Sequence, residues 1–183
     1  MQNTDYFLDY NEDEQHKELY AQFGLCIYFF QVLEHQLINM ILLSAKEKNL
    51  ILSKTDYDAF FYSYSDKAMG ALQRKVIELY KLPENDQLKL ENIRKKRNYF
   101  VHNYFKNHSE NFSSVSKRLK MLNEFIETRE QIQYMDEKLE ALCNNSLHKV
   151  GLTQEILDSL LQSMLNDNFN KDKKLFFGKR EIT

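Results

Sequence analysis

EQHKELYAQFGLCIYFFQVLEHQLINMILLSAKEK, residues 14–48, decides the fold class. Leu19, Phe23, Cys26/Ile27, Phe30, Leu33, Leu37 and Met40/Ile41 recur at three- and four-residue steps, the period that places them on one face of an α-helix. A helix this long and this apolar needs partners to cover it, and the rest of the chain offers mainly more helices. Only four Gly and one Pro punctuate the 183 residues, too few for the tight turns of a β-sandwich or barrel. With 43% hydrophobic residues, 13 Phe and 11 Tyr, the chain can fill one well-buried core. The expectation is an all-α single helical bundle of about five to six helices.

On the N-terminal side, residues 1–13 form an acidic segment with three aromatics, Tyr6, Phe7 and Tyr10. On the C-terminal side, Thr55 with Asp58 reads as a capping box, and Met69, Leu72, Val76, Ile77 and Leu79/Tyr80 carry a second helical stretch. The aromatic cluster Tyr57, Phe60, Phe61, Tyr62 and Tyr64 suits either a helical turn or an ordered loop. Pro83, followed by Glu84 and Asp86, opens a third helix that runs through Leu88 and Ile93 past Phe100. Ser113 or Ser114 caps a fourth, with Leu119, Leu122, Phe125/Ile126, Ile132, Met135, Leu139 and Leu142 buried, ending near Asn144-Asn145. Thr153 opens a short helix through Ile156, Leu157, Leu160, Leu161 and Leu165, before a basic tail of Lys171, Lys173, Lys174, Lys179 and Arg180. The organisation is therefore 1–13 acidic segment, 14–148 bundle, and 149–183 C-terminal helix and basic tail.

The formal charge of −2 gives no long-range attraction to nucleic acid, but its distribution is polarised. Residues 1–18 carry Asp5, Asp9, Glu12, Asp13, Glu14 and Glu18 against Lys17, a net of −5. From Lys89 to Lys106 there are Lys89, Arg94, Lys95, Lys96, Arg97 and Lys106 against Glu91, a net of +5. Cys26 and Cys143 sit in apolar surroundings far apart, which suits a reducing compartment and offers no zinc spacing. The N-terminus lacks a leader pattern and the run Leu37–Leu43 is too short to span a bilayer, so a cytoplasmic protein with no membrane partner is expected.

Sequence-local enzyme signatures are absent: no phosphate-binding glycine loop, no dinucleotide turn, no His-Glu-x-x-His and no Gly-x-Ser-x-Gly. His16, His35, His108 and His148 are scattered with no metal-ligand spacing, so no metal site and no cofactor are expected. One stretch stands apart, Arg94-Lys95-Lys96-Arg97-Asn98-Tyr99-Phe100-Val101-His102-Asn103-Tyr104-Phe105. A basic patch interleaved with aromatics is a footprint for phosphate-backbone binding and base stacking, which makes Arg94, Lys95 and Lys96 candidate RNA contacts. A solvated helix face is the other reading of the same charges.

Within that stretch, Arg97-Asn98-x-x-x-His102-x-Tyr104 resembles the Arg-x4-6-His motif of the HEPN superfamily (higher eukaryotes and prokaryotes nucleotide-binding), in its Arg-x4-His-x-Tyr form. The resemblance implies a small all-α fold with the motif late in its third helical region, and it covers roughly Glu14 to Asn145. It implies an endoribonuclease that needs no metal and acts as the toxin of a toxin-antitoxin or phage-defence module. The implied partners are RNA, with tRNA one candidate, an antitoxin that in this subgroup is a minimal nucleotidyltransferase, and a second copy of the chain in a homodimer. It further implies that Tyr104 is a target for nucleotide transfer, whereas the plainer role is a packed, hydrogen-bonded phenol. The alternative function is a catalytically silent helical module that binds a nucleotide or a partner protein.

The residue types suit RNA cleavage. A ribose 2′-hydroxyl can attack the adjacent phosphate if a base takes its proton and a cation stabilises the charge growing on phosphorus. His102 would be that base or acid, Arg97 the phosphate clamp and Asn98 an orienting hydrogen-bond partner. On an unbroken helix Arg97 and His102 diverge by about 140°, so either the helix breaks near Phe100 or two copies combine their motifs. Arg97 and Tyr104, seven apart, would share a face, and Tyr99, Phe100 and Phe105 would help to bury the contact between copies. Glu34 and His35 interrupt the apolar face of the first helix, and Glu34 could reach across to Arg97 or His102; an exposed place on a polar stripe is the other reading.

Overall fold

A computed structural model describes residues 4–153 and, beyond them, 155, 156, 158, 159, 162, 163, 165 and 166. Among the described residues every regular element is a helix, and the architecture is an all-α bundle. The order is α1 (Tyr6–Asp9), α2 (Glu12–Glu47), α3 (Lys54–Ser65), α4 (Met69–Tyr80), α5 (Glu84–His102), α6 (Tyr104–His108), a 3₁₀ turn (Ser109–Ser113) and α7 (Val115–Lys149). The chain divides into two compact units, Met1–Cys143 and Asn144–Thr183. In the second, Ile156 N donates to Thr153 Oγ1 at 3.4 Å, which places the expected cap at Thr153. Leu157, Leu160, Leu161 and residues 167–183, the expected basic tail, lie outside the described residues.

The first unit is built around α2. Asn11 and Glu14 close a capping box, the Asn11 side chain accepting from Glu14 N and the Glu14 carboxylate from Asn11 N. By length and composition α2 could cross a bilayer, but Leu19, Cys26, Leu33, Leu37 and Met40 are fully buried in the bundle. The acidic segment folds back over its start: Phe7 is fully buried, and the Gln15 amide donates to the carbonyls of Phe7 and Tyr10. Arg118 of α7, only 4% exposed, locks this corner through Gln15 Oε1 at 2.8 Å, Glu12 Oε1 at 3.0 Å and the Phe112 carbonyl. Further along, the Cys26 thiol donates to the Phe125 carbonyl at 3.1 Å, and burial pushes that thiol up to about 12.

The stretch after α2 is two helices, not one. The capping box sits at Ser53 and Asp56, two residues before the expected Thr55–Asp58 pair, and the aromatic cluster 57–64 lies on α3. The turn Asp66-Lys67-Ala68 then reverses the chain into α4. Tyr80 donates to the Met40 carbonyl and Gln73 to the Leu90 carbonyl, fastening α4 to α2 and α5. At the far end, α7 runs through Asn144-Asn145 to Lys149. Its stop is Gly151, whose φ of 79° is a left-handed value that a side chain resists.

Candidate functional site

α5 carries the motif and packs along α2. Phe100 stacks on Phe23, with centroids 5.9 Å apart and planes 1° apart, and meets Phe30 edge-on at 5.8 Å. Three residues before Phe100, Arg97 faces Glu34 of α2, Nε to Oε1 at 3.4 Å, with side chains 31% and 22% exposed. The expected reach of Glu34 across the bundle is thus made, to Arg97. Asn98 is exposed and its Oδ1 accepts from Arg97 Nη1 at 3.4 Å.

α5 is continuous through Phe100 to His102; the break comes at Asn103, whose φ of −133° and ψ of −16° leave the helix. Arg97 and His102 therefore diverge within one chain, by the helical angle of about 140°. His102 is exposed, and among the described residues no hydrogen bond or ion pair engages it. Tyr104 falls beyond the break, on α6, so the expected shared face with Arg97 is not made. It is 1% exposed, its ring lies 4.7 Å from Phe100 and 5.0 Å from Phe125, and its hydroxyl donates to Glu124 Oε2 at 2.8 Å. This is the packed-phenol geometry, and a nucleotide could reach the oxygen only if α6 left the core. Phe100 is buried, and Tyr99 and Phe105 pack against the same core, so these three cover the chain's own interior rather than a second copy.

The basic run does not form one patch, because successive residues turn about 100° round a helix. Arg94 is bound by Glu91 through Nε at 2.9 Å and Nη2 at 2.6 Å, and that guanidinium holds the Glu91 carboxyl below its ordinary range. Lys95 is exposed, its Nζ 3.7 Å from the same carboxylate. Lys96 turns the other way and donates to Thr128 of α7 at 3.3 Å, so it is not on the surface shared by Arg94 and Arg97.

Arg94, Arg97 and Asn98 form one wall of a cleft of about 400 Å³ whose other sides are Glu34, the Ser65–Ala68 turn and the start of α4. Gly70 makes room there: a Cβ on it would stand 3.2 Å from Arg94 Cδ. A second depression of about 370 Å³ shares Glu34, Ser65 and Lys67 with the first and adds Gln31, His35 and Ile38. Lys67 carries no signal in the sequence, and only tertiary packing brings this loop lysine beside Arg97; His35 is marked there only as an interruption of the α2 apolar face next to Glu34. His108, by contrast, is held between the Tyr99 hydroxyl at 2.8 Å and the Asn111 amide at 2.6 Å. Among the described residues no three His, Cys, Asp or Glu side chains converge as a metal-ligand set. Comparison with protein-family models, curated proteins and solved structures finds no match to this chain.

Proposed function

We propose that this protein is a HEPN-type endoribonuclease that cleaves RNA by 2′-hydroxyl attack and acts as the toxin of a toxin-antitoxin or phage-defence module. The observation that carries the reading is Arg97, held by Glu34 on the wall of an open cleft with Lys67, Arg94 and Asn98. A guanidinium steadied by a single contact to a largely buried carboxylate keeps donors free to grip a phosphate, whose two oxygens match its planar fork. Asn98 can hold the substrate ribose or phosphate beside it. Since His102 faces away from Arg97 of its own chain, a homodimer supplies it from the second copy. Exposed Tyr20, Leu25 and Tyr28 on α2 and Val101 on α5 give that contact its apolar surface.

The test is cleavage of RNA by the purified protein in EDTA. The expected product ends in a 2′,3′-cyclic phosphate, and Arg97→Ala and His102→Ala each lower the rate by about a hundredfold or more with the helical circular dichroism unchanged. Wild-type rates from both variants would reject the site. The divergence of Arg97 and His102 favours a second reading, a nucleotide- or partner-binding module without turnover. Tight RNA binding with no cyclic phosphate formed would support that reading instead.

A further inference from the structure

Two depressions adjoin along a shared border of Glu34, Ser65 and Lys67. Arg97 and Asn98 line one depression; His35 and Gln31 line the other. Glu34 and His35 are neighbours on α2, so while the carboxylate turns to Arg97 the imidazole sits about 100° round the helix, against the ring of Phe61 at 6.5 Å. His35 is exposed, and among the described residues no hydrogen bond or ion pair engages its ring nitrogens. Lys67, exposed on the turn between α3 and α4, borders both depressions. His16 packs on Phe112, and His108 is tied to Tyr99 and Asn111. Among the described residues, His35 thus lines the depression that adjoins the Arg97 cleft of the same chain.

We propose, resting on the ribonuclease reading above, that His35 is the base of the reaction and that His102 of the second copy is its acid. RNA cleavage moves two protons, one off the 2′-hydroxyl and one onto the leaving oxygen, and a single histidine aimed from another chain supplies one of them. A substrate phosphate takes the free donors of Arg97 and lies between Arg97 and Lys67. Neutral His35 takes the 2′-hydroxyl proton, O2′ forms its bond to phosphorus, and the phosphorus–O5′ bond breaks with its electron pair on O5′. The protonated His102 of the second copy delivers its proton there. The products are a 2′,3′-cyclic phosphate and a 5′-hydroxyl, and solvent restores the two imidazoles by taking one proton and giving one.

The experiment separates base from acid by the leaving group. Two oligoribonucleotides are compared in EDTA, one ordinary and one with sulfur in place of the 5′-bridging oxygen at a single linkage, because a thiolate leaves without being protonated. Wild type should cut both. His102→Ala should fail on the oxygen substrate and recover on the sulfur one. His35→Ala and His35→Gln should be slowed about a hundredfold or more on both, while binding a 2′-deoxy version of the oligonucleotide as wild type does and keeping its thermal midpoint. Wild-type cleavage by the His35 variants, sulfur rescue of them, or loss of binding as steep as the loss of rate would each overturn the assignment of His35 alone. A wild-type protein that cuts neither substrate would overturn the ribonuclease reading, and His35 as its base with it.

Discussion

Tyr104 shows how much one side chain can be asked to do in two readings. Burial first, and the Glu124 hydrogen bond second, hold its phenol proton well above the ordinary tyrosine value. The folded chain keeps that proton more tightly than the unfolded chain, so the associated stability is intact below about pH 10 and is lost as the pH rises beyond it. Tyr104→Phe should cost about 1 to 2 kcal/mol at neutral pH by leaving Glu124 unpaired, and denaturant midpoints followed above pH 10 should fall less steeply in the variant. Asp136 presents the opposite problem. Its Oδ1 is buried with no hydrogen-bond partner, and burial, then Glu140 and Glu137, raise its carboxyl. A raised carboxyl favours the folded state only while protonated, below about pH 4, and that advantage disappears as the pH rises. Asp136→Asn should therefore stabilise the protein at pH 7 by about 1 kcal/mol, kept small by solvent screening, and the gain should vanish when melting is measured near pH 3.

At the level of elements, α4 ends on Lys81 in the left-handed region, φ 50° and ψ 50°, just ahead of buried Leu82 and exposed Pro83. A side chain there costs roughly 1 kcal/mol that glycine avoids, so Lys81→Gly should raise the urea midpoint without altering the α4 contacts of Tyr80 and Gln73. The same bend tells what a linear reading can see. The three- and four-residue rhythm of α2 is written in its apolar side chains, and Glu34 stood out because it broke that rhythm. The split between α3 and α4 left no glycine or proline to announce it, only Asp66-Lys67-Ala68, and Lys67 went unnoticed with it. Lys96 was grouped with Arg94 because adjacency in a chain looks like adjacency in space, whereas a helix sends the two about 160° apart. The motif reads as one string, and a break near Phe100 is one of its two readings; the helix runs three residues further, to Asn103, and Tyr104 beyond it takes the plainer role of a phenol packed in the core.

Across the whole molecule, a site divided between two copies has a consequence for mixtures. Arg97→Ala and His102→Ala, each inactive alone, should regain about a quarter of wild-type activity when mixed in equal amounts and allowed to exchange, because half the dimers then hold one intact pair of residues. Mixtures as dead as their components, or a monomer by light scattering that retains full activity, would remove the homodimer. The partners of α2 raise a different matter, the order in which the chain is made. Cys26 waits for Phe125, Gln15 for Arg118 and Gln36 for Cys143, separations of 99, 103 and 107 residues. At about 5 to 20 residues per second, a ribosome exposes the most apolar helix for about 5 to 20 s before α7 can cover it. For that interval the nascent chain depends on whatever shields α2 from other chains, and no cleft with a seated Arg97 is expected until synthesis has passed α5.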